Sequence, residues 1–242
     1  MSLRYAMAAL RGQAHILEGL PCQDCTTGTA AEGVTMAVVC DGAGSCPRSE
    51  EAASCVCRWA VEFLPRNFAA LWKMESKLCA ALLAERGRGA LEEAGLGGVL
   101  CTMLLFACHE DGRWLAAHIG DGYIFLREGG AVRVLSYPEN GVFSNETFFL
   151  CEPDAEEHLR VYRGTAEGAL QALLTSDGCG GSLYDLELKT PAPAVEVMCG
   201  WLDSYDGETV SRALARQLEE LFSAQSDDDL SIALLSRDSG EA

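Results

Sequence analysis

The sequence predicts an α/β fold of the α+β kind, with antiparallel β-sheets and α-helices packed outside them. Two observations lead there. Short apolar runs arrive as hairpin pairs joined by Gly-bearing turns. The stretches with helical spacing fall in pairs between groups of strands, not one after each strand. That order argues against the alternating βαβ pattern of a parallel sheet. With 242 residues, 49% of them hydrophobic and 22% charged, positions 1–242 read as one domain around a shared core.

The first clear element is the apolar run 36–40, a buried strand that ends in a turn at Asp41-Gly42. A helix is expected next. Ser49 stands where an N-cap is needed, and Glu50 and Glu51 occupy the first turn, where the helix dipole favours acids. Ala53, Val56, Cys57, Ala60 and Leu64 form its apolar stripe. A second helix is expected over 71–84, with Gly87 and Gly89 ending it. Runs 99–108 and 114–119 pair around Glu110-Asp111-Gly112, and 123–127 and 132–135 pair around Glu128-Gly129-Gly130. Further strands are expected at 147–151, 159–162 and 169–175. Asp206 starts a late helix with Val210, Leu214, Leu218 and Leu221 on one face, and 230–235 is the last strand.

The formal charge of −18 narrows the partners. Such a surface repels nucleic acid and the anionic face of a membrane, so neither is expected as a partner. It also repels phosphorylated substrates unless cations mask the acids, so phosphate chemistry here should depend on metal. Of the twelve cysteines, Cys40, Cys101, Cys108 and Cys151 lie in apolar runs, where free Cys acts as a small hydrophobe. With no secretory pattern and no apolar run of bilayer length, reduced thiols in a cytoplasmic protein are expected. Cys22 and Cys25 form a Cys-x-x-Cys, but no second pair completes a zinc site. His118 lies within a strand and reads as a hydrogen-bonded core residue.

Asp41, Asp121 and Asp177 each follow an apolar run and each precedes Gly, while Asp228 stands just before the last strand. A lone Asp-Gly is usually a hairpin turn, and Asp111-Gly112 reads so. The other three sit where a solvated turn acid has no reason to be. Acids at several strand ends can converge on one sheet edge, and their mutual repulsion then calls for cations. Hard oxygen donors suit Mg²⁺ or Mn²⁺, and no His/Cys set argues for zinc. Asp227-Asp228-Asp229 also reads as a solvated acidic loop; its place before the final strand favours Asp228 as a ligand over Asp229.

Taken together, the motifs resemble those of the PP2C-type metal-dependent protein phosphatases, in particular the bacterial branch with a Pro-Cys-Gln-Asp motif. The matching pieces are Gly12-Gln13-Ala14-His15 with Pro21-Cys22-Gln23-Asp24, then Val38-Val39-Cys40-Asp41-Gly42-Ala43-Gly44-Ser45. His118-Ile119-Gly120-Asp121-Gly122, Asn145-Glu146-Thr147, Leu174-Thr175-Ser176-Asp177-Gly178 and Asp228-Asp229-Leu230-Ser231 follow in order. The resemblance implies a four-layer sandwich, two central antiparallel β-sheets flanked by α-helices, and a serine/threonine phosphatase that uses two divalent cations, Mn²⁺ or Mg²⁺, with a third, weaker one in some members. By that resemblance Asp41 bridges the two cations with the Gly42 carbonyl beside it, Asp177 and Asp228 complete a site, Asp24 holds the metals through bound water or direct contact, and Asp121 serves the third ion. The partner implied is a phosphorylated protein, opposing a Ser/Thr kinase.

The chain also departs from the pattern. Gly19 stands where many members carry a phosphate-contacting arginine, which leaves Arg48 or His15 as candidates for substrate binding. Ala43 replaces a histidine proposed as general acid in some animal members. The stretch between Asp121 and Asp177 is short, so the flap is expected to be reduced or rebuilt around 140–145. These departures motivate an alternative, a catalytically weak or inactive signalling module. A haloacid dehalogenase-type chemistry is excluded, because Asp41-Gly42-Ala43 lacks the second Asp it needs.

Overall fold

The computed structural model describes residues 3–140 and 147–238. The chain enters as β1 (Leu3–Leu10), passes through the short α1 (Gln13–Glu18), and returns as β2 (Asp24–Ala31) and β3 (Val34–Asp41). Helices α2 (Ser49–Lys73) and α3 (Ser76–Glu93) lead to β4 (Met103–His109), β5 (Arg113–Ile119), β6 (Tyr123–Glu128) and β7 (Ala131–Ser136). One helical turn, α4 (Ala155–His158), precedes β8 (Arg160–Thr165) and β9 (Leu170–Thr175). Then come α5 (Asp177–Leu183), the short pair β10 (Tyr184–Asp185) and β11 (Thr190–Pro191), α6 (Pro193–Ser204) and α7 (Gly207–Gln217). A π-helical turn (Leu218–Phe222) and β12 (Leu230–Arg237) follow.

Two five-stranded sheets run β1-β12-β9-β6-β7 and β2-β3-β4-β5-β8, with every neighbouring pair antiparallel. The side-chain period of two splits each strand between different apolar layers. Val39, Leu104, Phe106, Ile124, Leu174 and Ala233 meet between the sheets. Val38 and Leu105 face the other way, onto α2 and α3 through Val56, Leu64 and Leu83. Phe125, Leu173 and Ile232 pack beneath α6 and α7 against Met198 and Leu214. The result is helix, sheet, sheet, helix. With both faces covered, the central strands read as continuous apolar runs even though the sheets are antiparallel.

Several expected boundaries move, each for a physical reason. Ser49 does not cap α2: Arg48 occupies the cap position in a left-handed conformation (φ 67°), and Ser49 is the buried first residue of the helix. The helix then runs through Pro65 to Lys73, past the expected start of the second helix. Gly87 and Gly89 lie inside α3 instead of ending it. Gly87 is small because Leu150 presses on it, and a Cβ there would sit 2.7 Å from Leu150 Cδ2. Segment 147–151 is not a strand; Thr147 makes a single bridge to Asn140, and the Leu150 N–H donates to the Cys101 carbonyl. Strand β4 begins only at Met103, because Cys101 is drawn into a bridge with Gly42.

Asp206 does cap α7, accepting from the Thr209 N–H at 2.8 Å. The π turn inserts a residue into the helical repeat, so Phe222 is buried where Leu221 was expected and Leu221 is turned out.

Candidate metal centre

The strands end so that their terminal acids gather at one edge of the sandwich. Asp41 closes β3 and is paired in register with Asp24, the first residue of β2. Thr102 pins the Asp41 backbone on both sides: its Oγ1 accepts from the Asp41 N–H at 3.0 Å, and its own N–H donates to the Asp41 carbonyl at 2.8 Å. Asp121 lies in the turn between β5 and β6, and Asp177 opens α5 directly after β9. The glycine after Asp121 permits close approach of two strands, since a Cβ on Gly122 would lie 2.3 Å from the Thr175 carbonyl oxygen.

Asp41, Asp121 and Asp177 each present a carboxylate oxygen within 4.8 Å of the others. Asp228 lies outside that trio but lines the same cleft, of about 580 Å³, with Gly42 and His15. Asp177 reaches solvent through the mouth of the cleft, and Asp41 is half-buried.

This arrangement raises the proton affinity of the acids. Burial first, then the charges of Asp24, Asp177, Asp121 and Asp228, push Asp41 well above the usual carboxylate range. Asp177 is pushed up to about 7 by burial and by Asp121, Asp228 and Asp24. Asp121 is raised chiefly by burial, with a contribution from Asp228. Near neutral pH the trio cannot be fully charged without positive counter-charge. An all-oxygen donor set of this kind fits Mg²⁺ or Mn²⁺.

Asp24 sits beneath the trio and does not line the cleft. Its Oδ2 accepts from Ser176 Oγ at 2.7 Å, while its buried Oδ1 has no hydrogen-bond partner among the described residues. Burial lifts this carboxyl to about 6, against the lowering effect of hydrogen bonds from Ser231 and Ser176.

Asp229, the acid given less weight than Asp228, is the one folded inward. It is 2% exposed; its Oδ1 accepts from the Gly12 N–H at 2.6 Å and its Oδ2 from the Gln23 N–H. His15 Nδ1 lies 2.9 Å from Asp229 Oδ2, off the line of a hydrogen bond. Gly12 and Gly178 grip the acidic loop closely: Cβ atoms there would lie 2.3 Å from the Asp228 carbonyl carbon and 2.1 Å from the Asp229 carbonyl oxygen.

The two candidates for the missing arginine separate. His15 lines the cleft. Arg48 does not: its guanidinium reaches Glu51 at 2.8 and 3.0 Å and the Gly95 carbonyl at 3.2 Å. Segment 141–146, with Asn145, Glu146 and most of the expected flap, lies outside the described residues.

Sequence reasoning missed Thr102, Ser176 and Ser231 as supports. The signal was present as small hydroxyls beside the acids at buried strand ends. All twelve cysteines are free, and no metal-competent group among the described residues includes Cys22 or Cys25. His118 is buried with Nδ1 2.7 Å from Ser136 Oγ, and burial holds its pKa well below the usual range.

In family and fold the chain is similar to known phosphatases. Serine/threonine-protein phosphatase 3 of Escherichia coli (strain K12) is 26% identical over 189 residues, spanning 72% of this chain and 73% of that protein. The Mycobacterium tuberculosis serine/threonine phosphatase PstP/Ppp superposes with a TM-score of 0.64 at 17% identity, covering 98% of this chain and 100% of that one. RsbX in complex with magnesium gives a TM-score of 0.61 at 14% identity, covering 97% and 94%. The profile of the family described as protein phosphatase 2C matches residues 11–219. The chain therefore belongs to the protein phosphatase 2C family and is a phosphatase of that type.

Proposed function

We propose that this phosphatase hydrolyses phosphoserine and phosphothreonine in proteins with the help of two divalent cations, Mn²⁺ or Mg²⁺. The observation that carries the reading is the convergence of Asp41, Asp121 and Asp177 within 4.8 Å, at a strain that burial and like charge both impose. Asp41, the Gly42 carbonyl, Asp177 and Asp228 would hold the two ions, Asp121 a third, weaker one, and Asp24 would support them from below. When bound, such ions polarise phosphoryl oxygens and lower the pKa of an attacking water.

The chain's own contributions are positional. Thr102 fixes the backbone from which Asp41 projects, and Ser176, just after β9, with Ser231 of β12 fixes Asp24. The knot at Asp229 holds the loop that carries Asp228, and it keeps His15 at the wall of the cleft. Among the described residues lining the cleft, His15 is the one side chain able to carry positive charge toward a phosphate. The substrate is a phosphorylated protein, the opposing enzyme a Ser/Thr kinase, and the setting cytoplasmic; no helix among the described residues is long and apolar enough to cross a membrane.

The second reading, a catalytically weak signalling module, is favoured by one observation, the engagement of Arg48 away from the cleft. Hydrolysis of an aryl phosphate and of phosphoserine and phosphothreonine peptides, assayed with millimolar Mn²⁺ or Mg²⁺ and with chelator, separates the two. Turnover that requires metal is expected. A folded, metal-loaded protein without turnover on any of these would establish the second reading instead.

A further inference from the structure

On the face of the molecule formed by α6 and α7, the chain leaves an apolar groove open. Ala194, Val197, Met198 and Trp201 of α6 form one wall, and Leu221 and Phe222 of the π turn form the other. The groove holds about 360 Å³, within the range of ligand-sized clefts (roughly 300–1,000 Å³). Val197 is 58% exposed and Leu221 53%.

The exposure of Leu221 follows from the local backbone. In a regular helix Leu221 would continue the stripe of Leu214 and Leu218 into the core. The π turn gives that place to Phe222 and presents Leu221 at the surface. π turns concentrate at functional positions, and here the turn builds one wall of the groove.

The surroundings define the occupant. The helical segments that frame the groove, 193–222, have six carboxylates and two arginines. Both arginines are already paired, Arg212 with Glu208 at 2.6 Å and Arg216 with Glu220 at 2.8 Å. A second copy of this chain, also at −18, would bring acid against acid, and an anionic lipid surface would be repelled. The groove lies between helical segments and offers no free strand edge, so an extended peptide would lay unpaired backbone groups on an apolar floor. A helix satisfies its own backbone and offers apolar side chains at i, i+3, i+4 and i+7.

We infer that this groove is a docking site for a basic amphipathic helix of another protein, with Trp201 as the aromatic anchor at its wall. The site is independent of the acidic cleft and of the chemistry proposed for it.

The probe is a labelled Leu/Lys helix of roughly 18 residues, long enough to be helical, titrated into the full chain by fluorescence anisotropy near physiological salt. A scrambled peptide of equal composition is the control. The native-pattern peptide should bind at least tenfold tighter than the scrambled one and shift the tryptophan emission, a shift absent from Trp201→Phe. Leu221→Glu and Val197→Glu should each weaken it at least tenfold, whereas Leu186→Glu, on an exposed residue outside the groove, should leave it unchanged. The sign is decisive, because added negative charge strengthens mere electrostatic attraction. Equal binding of the two peptides, or binding undiminished in both groove variants with unchanged melting temperatures, overturns the proposal. So does a dimer in sedimentation equilibrium that Leu221→Glu dissociates, or binding to phosphatidylcholine–phosphatidylserine vesicles that the same change abolishes, since either assigns the groove to another occupant.

Discussion

Asp41 and Asp229 stand at the same edge of the sandwich, and the protein treats the two carboxylates in opposite ways. Asp229 receives the Gly12 and Gln23 N–H groups and lies against His15. Among the described residues no backbone N–H donates to the Asp41 carboxylate; it is buried facing Asp24, Asp121, Asp177 and Asp228, and its proton affinity rises accordingly. A buried acid whose charge is met by protein donors ties the fold together. An acid whose charge is met only by other acids is kept for something that arrives from solution.

The strongest test of that contrast is Asp41→Asn. It removes the residue expected to bridge both cations, so phosphatase activity should fall by about 10³-fold or more, in line with losing a principal source of transition-state charge stabilisation. In metal-free protein the same change relieves repulsion, and the melting temperature should rise by about 2–4 °C. Loss of activity together with a lowered metal-free melting temperature would mean that Asp41 is structural, and the contrast would collapse.

Asp229→Asn should behave in reverse. It keeps the shape but sets an amide N–H₂ against one of the two backbone donors and removes the carboxylate beside His15. A loss of about 2–3 kcal/mol is expected in urea unfolding, with metal or without. Stability unchanged in this variant would show that the knot is not what holds the Asp227–Asp229 loop.

The pH dependence sharpens the comparison further. Asp177 is raised from 3.8 to about 7, so across that window the folded, metal-free protein holds a proton that the unfolded chain has released. The stability contributed by that proton is therefore lost as pH rises toward about 7. Chelated protein should melt at progressively lower temperature over this range, while the increment given by millimolar Mn²⁺ should grow, because metal displaces the protons. A metal increment flat with pH would count against carboxylate ligands with raised pKa values.

Much of this was legible beforehand where apolar runs end in an acid. Asp41, Asp121 and Asp177 could be picked out because each follows a strand that both sheet faces bury. The edge strands β1 and β2 were not read: their half-exposed, Thr- and Ala-rich sequences carry little apolar alternation. Three consecutive aspartates at 227–229 do not reveal which side chain turns inward; that is decided by Gly12, some 200 residues away in sequence, whose missing Cβ lets the loop approach. Leu221 was misplaced because a π turn leaves no mark in a helical repeat. Ser49 was misread because the cap position went to Arg48, in a conformation that only the packed turn enforces.

Arg48 offers the smallest expected effect and a useful boundary on the whole reading. As a phosphate ligand it would contribute a bidentate grip, and its loss would raise KM steeply. Its guanidinium is instead an exposed partner of Glu51, the class of surface pair that contributes little. Arg48→Ala should therefore leave kcat/KM on a phosphopeptide within about twofold of the parent, as expected when a surface pair of this kind is lost. His15→Gln should raise KM while preserving kcat more closely, because it withdraws the imidazole from the wall of the cleft and leaves the acids in place. If Arg48→Ala is the more damaging of the two, the guanidinium must leave Glu51 when substrate arrives, and the cleft would be completed from α2 and not from α1.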